Sequence, residues 1–343
     1  MLISDFDFPL PEHLIAQEPL ENREDSRMLI IDRTRNRFRD AVFTDLPALL
    51  QAGDVLVVNN TKVFPARLQG SLETGAAVEI LLIEEMPDGC WTALARPGRR
   101  LSVGRTIHFS DALKAIVVEK LEKGRVAVRF ETDSAFDEVL GMVGLTPLPP
   151  YIRRAEGGLD QDRERYQTVF AANRGAIAAP TAGLHFTAGM LDRIRSGGVI
   201  VVEITLHVGY GTFGPVRVID LSDHTVLPEK FTIGEHAALE LNSAFADGRR
   251  IVAVGTTTTR ALESSMNSHG KFVAESSVAD LTIRPGYKFK AVNALLTNFH
   301  LPKSSLLVLV STFGGRELIM ESYKHAVASN YRFYSYGDCM FIT

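Results

Sequence analysis

The sequence predicts an α/β protein in two parts: a large layered α/β domain made of residues 1–62 and 150–343, and a small β domain inserted at 63–149. Three observations predict it. Near-continuous apolar runs at 199–204 (VIVVEI) and 250–254 (RIVAV) read as strands of a sheet covered on both faces. Residues 63–149 alternate short β-branched runs with glycine-containing turns, the pattern of a small barrel or sandwich. Finally, four segments rich in Gly, Thr and His each abut an apolar run, as ligand loops at the carboxyl ends of α/β strands do.

In chain order, 28–31 (MLII) and 54–58 (DVLVV) are β-branched runs bounded by turn residues. The arginines at 33, 35, 37 and 39 alternate and on a strand would share one face. A charged hairpin tip around 34–36 accounts for them, with an RNA contact as the alternative. Within 63–149 the clearest strands are 77–83, 114–118 and 126–130, and only 134–140 reads as helix. Residues 96–129 hold nine Lys or Arg against three Asp or Glu, densest at RPGRR, 96–100. Such a patch suits either phosphates or plain solvation. Further on, Thr187 reads as the N-cap of a helix through 196 with Gly197 as its stop. Ile319, Tyr323, Ala326 and Val327 recur at helical spacing.

Composition excludes several classes. With 45% hydrophobic and 23% charged residues over 343, the chain is ordinary globular protein. Its net charge of −4 does not suit a generally basic nucleic-acid binder. Cys90 and Cys339 form neither a CxxC pair nor a zinc pattern, which suits a reducing cytoplasm. The first residues lack the basic start and long apolar core of a signal peptide. No run of about 18 apolar residues reads as a membrane span. The expectation is a cytoplasmic monomer without metal or redox cofactor.

The four loops carry the chemistry: 180–187 (PTAGLHFT), 206–215 (LHVGYGTFGP), 254–263 (VGTTTTRALE) and 297–304 (TNFHLPKS). Gly209, Gly211 and Gly214 match the letters of a dinucleotide fingerprint, but an extended run, PVRVI, follows where a helix is required. These glycines suit close approach of backbone to another ligand, or a tight loop. Gly255 and four threonines open a helix whose free N–H groups favour a carboxylate or phosphate, and Arg260 in its opening turn points the same way. A threonine N-cap without ligand is the plainer alternative. His185, His207 and His300 suit proton transfer, although each alone fits a structural histidine. None has the i, i+4 spacing of helical zinc ligands. Residues 331–338 (YRFYSYGD) read as a final docked strand or an aromatic lip beside the site.

Taken together, these segments closely resemble the S-adenosylmethionine:tRNA ribosyltransferase-isomerases of queuosine biosynthesis. The resemblance begins at LIAQ (14–17) and Ser26-Arg27, then covers NNTKV (59–63) and PAR (65–67). It continues through RPG (96–98), PLPPYI (147–152), ERYQT (164–168), all four loops, PGYKF (285–289) and SYGD (335–338). It implies a large α/β domain with an inserted β-barrel. It also implies transfer and isomerisation of the ribosyl part of S-adenosylmethionine. The acceptor is the aminomethyl group of 7-aminomethyl-7-deazaguanine (preQ1), in the anticodon stem-loop of tRNA. Epoxyqueuosine-tRNA, adenine and methionine are the products. The chain departs from the family pattern at Leu227, where a histidine is usual, and at Val278, where a tryptophan is usual.

That chemistry needs a base for the C–H bond acidified by the sulfonium, for which His185 and His207 are the candidates, with Glu203 or Asp280 to polarise an imidazole. The remaining candidates for S-adenosylmethionine or the target base are Thr181, Gly183, Gly209, Tyr210, Gly211, Thr212, Phe213, Thr256, Thr257, Arg260, Asn298, His300, Lys303, Tyr336 and Asp338. Arg96, Arg99, Arg100, Arg153 and Arg154 are the candidates for tRNA phosphates. An S-adenosylmethionine-dependent RNA methyltransferase and a non-catalytic RNA-binding module are the alternatives. A methyltransferase would carry its glycine-rich loop early in the chain.

Overall fold

The computed structural model describes residues 1–154, 160–211 and 216–343. Its centre is a nine-stranded sheet. From edge to edge the strands are Glu275–Ala279, Glu229–Ile233, Ile200–Leu206, Val55–Asn59, Ile251–Val254, Ala294–Asn298, Cys339–Ile342, Arg27–Asp32 and Arg37–Val42. The four strands from Ile200–Leu206 to Ala294–Asn298 are mutually parallel. Val55–Asn59, Ile251–Val254 and Ala294–Asn298 are buried along their whole length. The side-chain period of two explains why these strands carry no polar alternation. Val55 and Val57 enter one apolar cluster while Leu56 and Val58 enter another, on the opposite face.

Helices cover both faces. Ala188–Ser196 contributes Met190, Leu191 and Ile194 to the second cluster. Thr256–His269, Ser305–Gly314 and Arg316–Ala328 pack into the first. Thr187 Oγ1 accepts the Met190 N–H at 3.0 Å and Gly197 ends that helix, as the capping pattern predicts. Arg37–Val42 pairs antiparallel with Arg27–Asp32, with Asp32 accepting N–H groups from Thr34 and Arg35 in the turn. The arginines there do not act as one face: Arg33 lies over the Phe313 ring and donates to the Phe313 and Asn293 carbonyls.

Of the two arrangements that short strands allowed, the chain forms the closed one. Six strands, in the order Arg125–Glu131, Trp91–Arg96, Ala77–Glu85, Arg67–Leu72, Thr106–Ser110 and Leu113–Lys120, close into a barrel around a third apolar cluster. The helix Phe136–Val143 follows, with Val139 and Leu140 buried in that cluster.

Strand direction sets the position of the site. The parallel strands end at Leu206, Asn59, Val254 and Asn298. Cys339–Ile342 runs antiparallel to Ala294–Asn298, pairing Cys339 with Asn298, and Arg27–Asp32 runs parallel to Cys339–Ile342. The segments that precede those two strands, Tyr334 to Asp338 and Ser26, therefore arrive at the edge where the parallel strands end.

Candidate functional site

At that edge a small cavity of ≈ 30 Å³ is walled by the start of the helix Thr256–His269, by Asn298 and His300, by Thr181, and by Tyr151, Tyr334 and Ser335. Gly255 adopts φ 93°, a left-handed turn that strand-to-helix reversal requires and a side chain would resist. The four threonines divide. Thr258 Oγ1 donates back to the Val254 carbonyl at 2.7 Å and Thr259 Oγ1 to the Gly255 carbonyl at 3.1 Å. Thr256 and Thr257 face the cavity, and the buried Thr257 hydroxyl has no hydrogen-bond partner among the described residues. With the first-turn N–H groups beside it, this is a donor-rich, anion-favouring corner.

Asn298 forms the floor. Its amide donates to the Tyr334 carbonyl at 3.1 Å and to His185 Nε2 at 3.2 Å, while its buried Oδ1 is unpaired among the described residues. Tyr334 holds φ 77°, costly for a bulky residue, and its N–H donates to the Phe299 carbonyl at 3.1 Å. His300 lines the same cavity. Its Nε2 meets Thr297 Oγ1 at 3.0 Å, and burial pushes its pKa down to about 3.

The two candidate bases sit in contrasting settings. His185 is buried against Phe43, with Nδ1 2.8 Å from Ser26 Oγ and Nε2 receiving the Asn298 amide. Burial first, then the fields of Arg23 and Arg332, lowers its pKa to about 4. Both nitrogens are therefore occupied. His207 is half-buried, its Nδ1 is 2.8 Å from Thr61 Oγ1, and Nε2 has no hydrogen-bond partner among the described residues. It lines a wider cavity of ≈ 370 Å³ with Gly209, Glu229, Lys230 and Trp91. Burial and then Lys230 lower its pKa, so neutral imidazole prevails at neutral pH. Neither Glu203 nor Asp280 polarises an imidazole. Exposed Glu203 accepts from Asn60 Nδ2 at 3.0 Å, and Asp280 is exposed beyond the strand Glu275–Ala279. Thr61 and Ser26 take the place those carboxylates were expected to fill.

Several other expectations are corrected. Arg260 does not offer its guanidinium to the helix start. It pairs with buried Glu229 and donates to the carbonyls of Ala279 (2.8 Å), Leu227 (3.2 Å) and Leu281 (3.3 Å). Glu229 Oε1 in turn accepts the Gly209 N–H at 2.9 Å, so the pair braces the glycine loop. Lys303 turns outward to Asp7 at 2.6 Å. Tyr336 is buried with its hydroxyl 3.2 Å from Asp162, and Asp338 accepts the Arg27 and Arg332 N–H groups; both support the final turn rather than present a face to a base. Gly183 packs closely on Phe170 and Thr168. Gly211 lies under Leu227, the residue standing where the family has histidine. Thr212 and Phe213 lie outside the described residues.

A third opening, ≈ 520 Å³, separates the barrel from the large sheet and is lined by Arg67, Arg96, Arg153, Arg154 and Tyr210. Arg96 and Arg99 are exposed, whereas the Arg100 side chain lies outside the described part. Exposed Arg153 pairs with Glu12. Arg154 forms a buried two-pronged pair with Asp162 at 2.7 and 2.9 Å, a structural contact that leaves little for a phosphate. Val208 borders the first two cavities, and Gly209 borders the second and third. Among the described residues no group of three His, Cys, Asp or Glu is placed to hold a metal ion, and no helix is long and apolar enough to cross a membrane.

Sequence reading missed Tyr151, Thr61, Glu229 and Ser26 as site residues. Three of them had a signal: Tyr151 lies in the 147–152 motif, Ser26 directly precedes one strand, and Thr61 closely follows another at the edge where ligands bind.

Comparison with known proteins agrees with this picture. A family described as "Queuosine biosynthesis protein" matches residues 3–342. S-adenosylmethionine:tRNA ribosyltransferase-isomerases of Desulfitobacterium hafniense and Syntrophotalea carbinolica are each 48% identical over 344 residues, covering 100% of this chain and of each relative. The crystal structure of S-adenosylmethionine tRNA ribosyltransferase from Thermotoga maritima superposes with a TM-score of 0.57 at 34% identity, covering 99% of this chain and 100% of that one.

Proposed function

The chain belongs to the queuosine biosynthesis protein family, and on that premise we propose that it transfers and isomerises the ribosyl group of S-adenosylmethionine onto 7-aminomethyl-7-deazaguanine in tRNA. The products are epoxyqueuosine-tRNA, adenine and methionine. The observation that carries the reading is geometric. One short segment, Val208–Tyr210, borders all three openings. A ligand anchored at the helix start and a nucleotide entering through the basic groove thus meet beside His207.

In this reading the methionine carboxylate takes the first-turn N–H groups and the Thr257 hydroxyl, and Asn298 Oδ1 accepts from the methionine ammonium. Both side-chain atoms are buried and unpaired among the described residues, a costly state that such a zwitterion relieves. The sulfonium then points toward Val208. His207, in the tautomer whose Nδ1–H donates to Thr61 Oγ1 and leaves the lone pair on Nε2, is the base that removes the acidified 5′ proton. The aminomethyl nitrogen bonds to the ribosyl carbon skeleton as adenine and methionine depart. Residues 63–149 act as an inserted unit forming the far wall of the groove, with exposed Arg96 and Arg99 as contacts for RNA phosphates.

The test is turnover with S-adenosylmethionine and precursor-bearing tRNA, read by mass spectrometry of the nucleosides and by release of free adenine. Epoxyqueuosine with adenine is the expected result. A methylated base with S-adenosylhomocysteine would make the protein a methyltransferase instead.

A further inference from the structure

A fourth cavity, ≈ 20 Å³, lies across Ser335 from the helix-start cavity, and Arg23 and Arg165 line it beside His185. At that volume it admits no ring. Arg332 is close enough to His185 to add its field to that of Arg23. These three guanidiniums are spent on backbone carbonyls alone: Arg23 on Leu184 and Glu164, Arg165 on Leu20 and Glu21, Arg332 on Glu18. None forms an ion pair with a carboxylate among the described residues. Glu18 and Glu164 are exposed, and Asp338 gives both oxygens to backbone N–H groups. Arg165 Nε and Arg332 Nη1 are buried donors without a partner among the described residues. Burial first and then the neighbouring Arg165 lower the pKa of Arg23 against the opposing field of exposed Glu164, so the cations crowd one another with carboxylates only at a distance.

We propose that Arg23, Arg165 and Arg332 form an anion site that holds one backbone phosphate of the RNA strand flanking the reacting nucleotide. The proposal rests on tRNA being the substrate. Half-buried cations with unmet buried donors are costly, and a phosphate supplies both charge and acceptor oxygens in the geometry a guanidinium fork matches. Continuity of surface favours a strand over a small free anion. Gln17 donates to the Tyr151 carbonyl at 2.9 Å and accepts the Arg153 N–H at 2.9 Å. It thereby ties the rim of the basic groove to the 17–20 segment that leads to this cavity.

The experiment measures affinity for an anticodon stem-loop against salt, with S-adenosylmethionine binding followed separately by calorimetry. Arg165→Met and Arg332→Met are each expected to weaken RNA binding by roughly tenfold or more and to lower the log–log salt slope by about one. S-adenosylmethionine affinity stays unchanged, and Arg165→Lys keeps most of the slope. A stem-loop with one uncharged methylphosphonate linkage beside the wobble position should bind wild type more weakly yet lose nothing further with Arg165→Met. That cycle compares two ligands on one protein, so it holds even where the substitution lowers stability. Loss of S-adenosylmethionine binding would reassign the site to the methionine carboxylate, and additive losses in the cycle would also overturn the proposal. Wild-type turnover in the same preparations reports separately on the reaction, and a wild type that binds no RNA sinks both.

Discussion

The His185 and His207 neighbourhoods hold the same side chain at the same edge of one sheet, yet differ in what each leaves unspent. Around His185 both ring nitrogens are taken, by Ser26 and Asn298, and burial holds the pKa near 4. Around His207 one nitrogen is anchored by Thr61 and the other opens onto a ≈ 370 Å³ cavity. A loop histidine becomes a usable base through a ring nitrogen left without a partner, not through its place in a motif. The same division separates Arg260, locked to Glu229, from Thr257, whose hydroxyl is unmatched among the described residues. Groups already satisfied should report in stability, and unsatisfied ones in binding and rate.

The largest expected effect is on the chemical step. His207→Ala should slow single turnover by about 10²–10⁴ while leaving the folding midpoint near wild type. His185→Ala should instead lower stability by about 1–3 kcal/mol, because Ser26 and Asn298 lose a buried partner. The pH profile sharpens the contrast. The base form is neutral, so kcat/KM should hold above the ordinary histidine range and fall as pH drops below it, through the lowered pKa of His207. An acid limb near pH 4 would instead follow His185, and the division drawn above would fail.

Next in size is Arg260→Met. Breaking a buried pair leaves the Glu229 charge uncompensated and should cost about 3–5 kcal/mol in urea unfolding. The Gly209 loop it braces should loosen as well. Weaker S-adenosylmethionine affinity with unchanged stability would return Arg260 to the ligand.

The smallest is Thr257→Val, which removes an unpaired hydroxyl at nearly constant volume. S-adenosylmethionine binding should weaken by about 0.5–1.5 kcal/mol, with stability equal to or above wild type. Calorimetric titration beside a melting curve checks both, and a drop in melting temperature with full affinity would mark Thr257 as structural.

Much of the fold was legible because local rules carry it. Fully apolar runs dictate buried parallel strands, Thr187 and Gly197 bracket a helix, and glycine-punctuated β runs announce the barrel. The four loops at one edge were legible for the same reason, since strand ends in α/β proteins converge. What the sequence could not express was the partner of each polar side chain. Arg260 opens a helix in sequence, yet its guanidinium reaches Glu229, 31 positions earlier. Arg154 falls in a basic dipeptide, yet it is neutralised by Asp162. Arg23 and Arg332, over 300 positions apart in the chain, put their fields on the same imidazole. Periodicity and capping act over a few residues, and they determined the elements and the edge on which the site is built. Hydrogen bonding and charge compensation act over a few ångströms whatever the separation along the chain. Only the tertiary structure could decide which histidine keeps a nitrogen without a partner among the described residues and which arginines meet no carboxylate there.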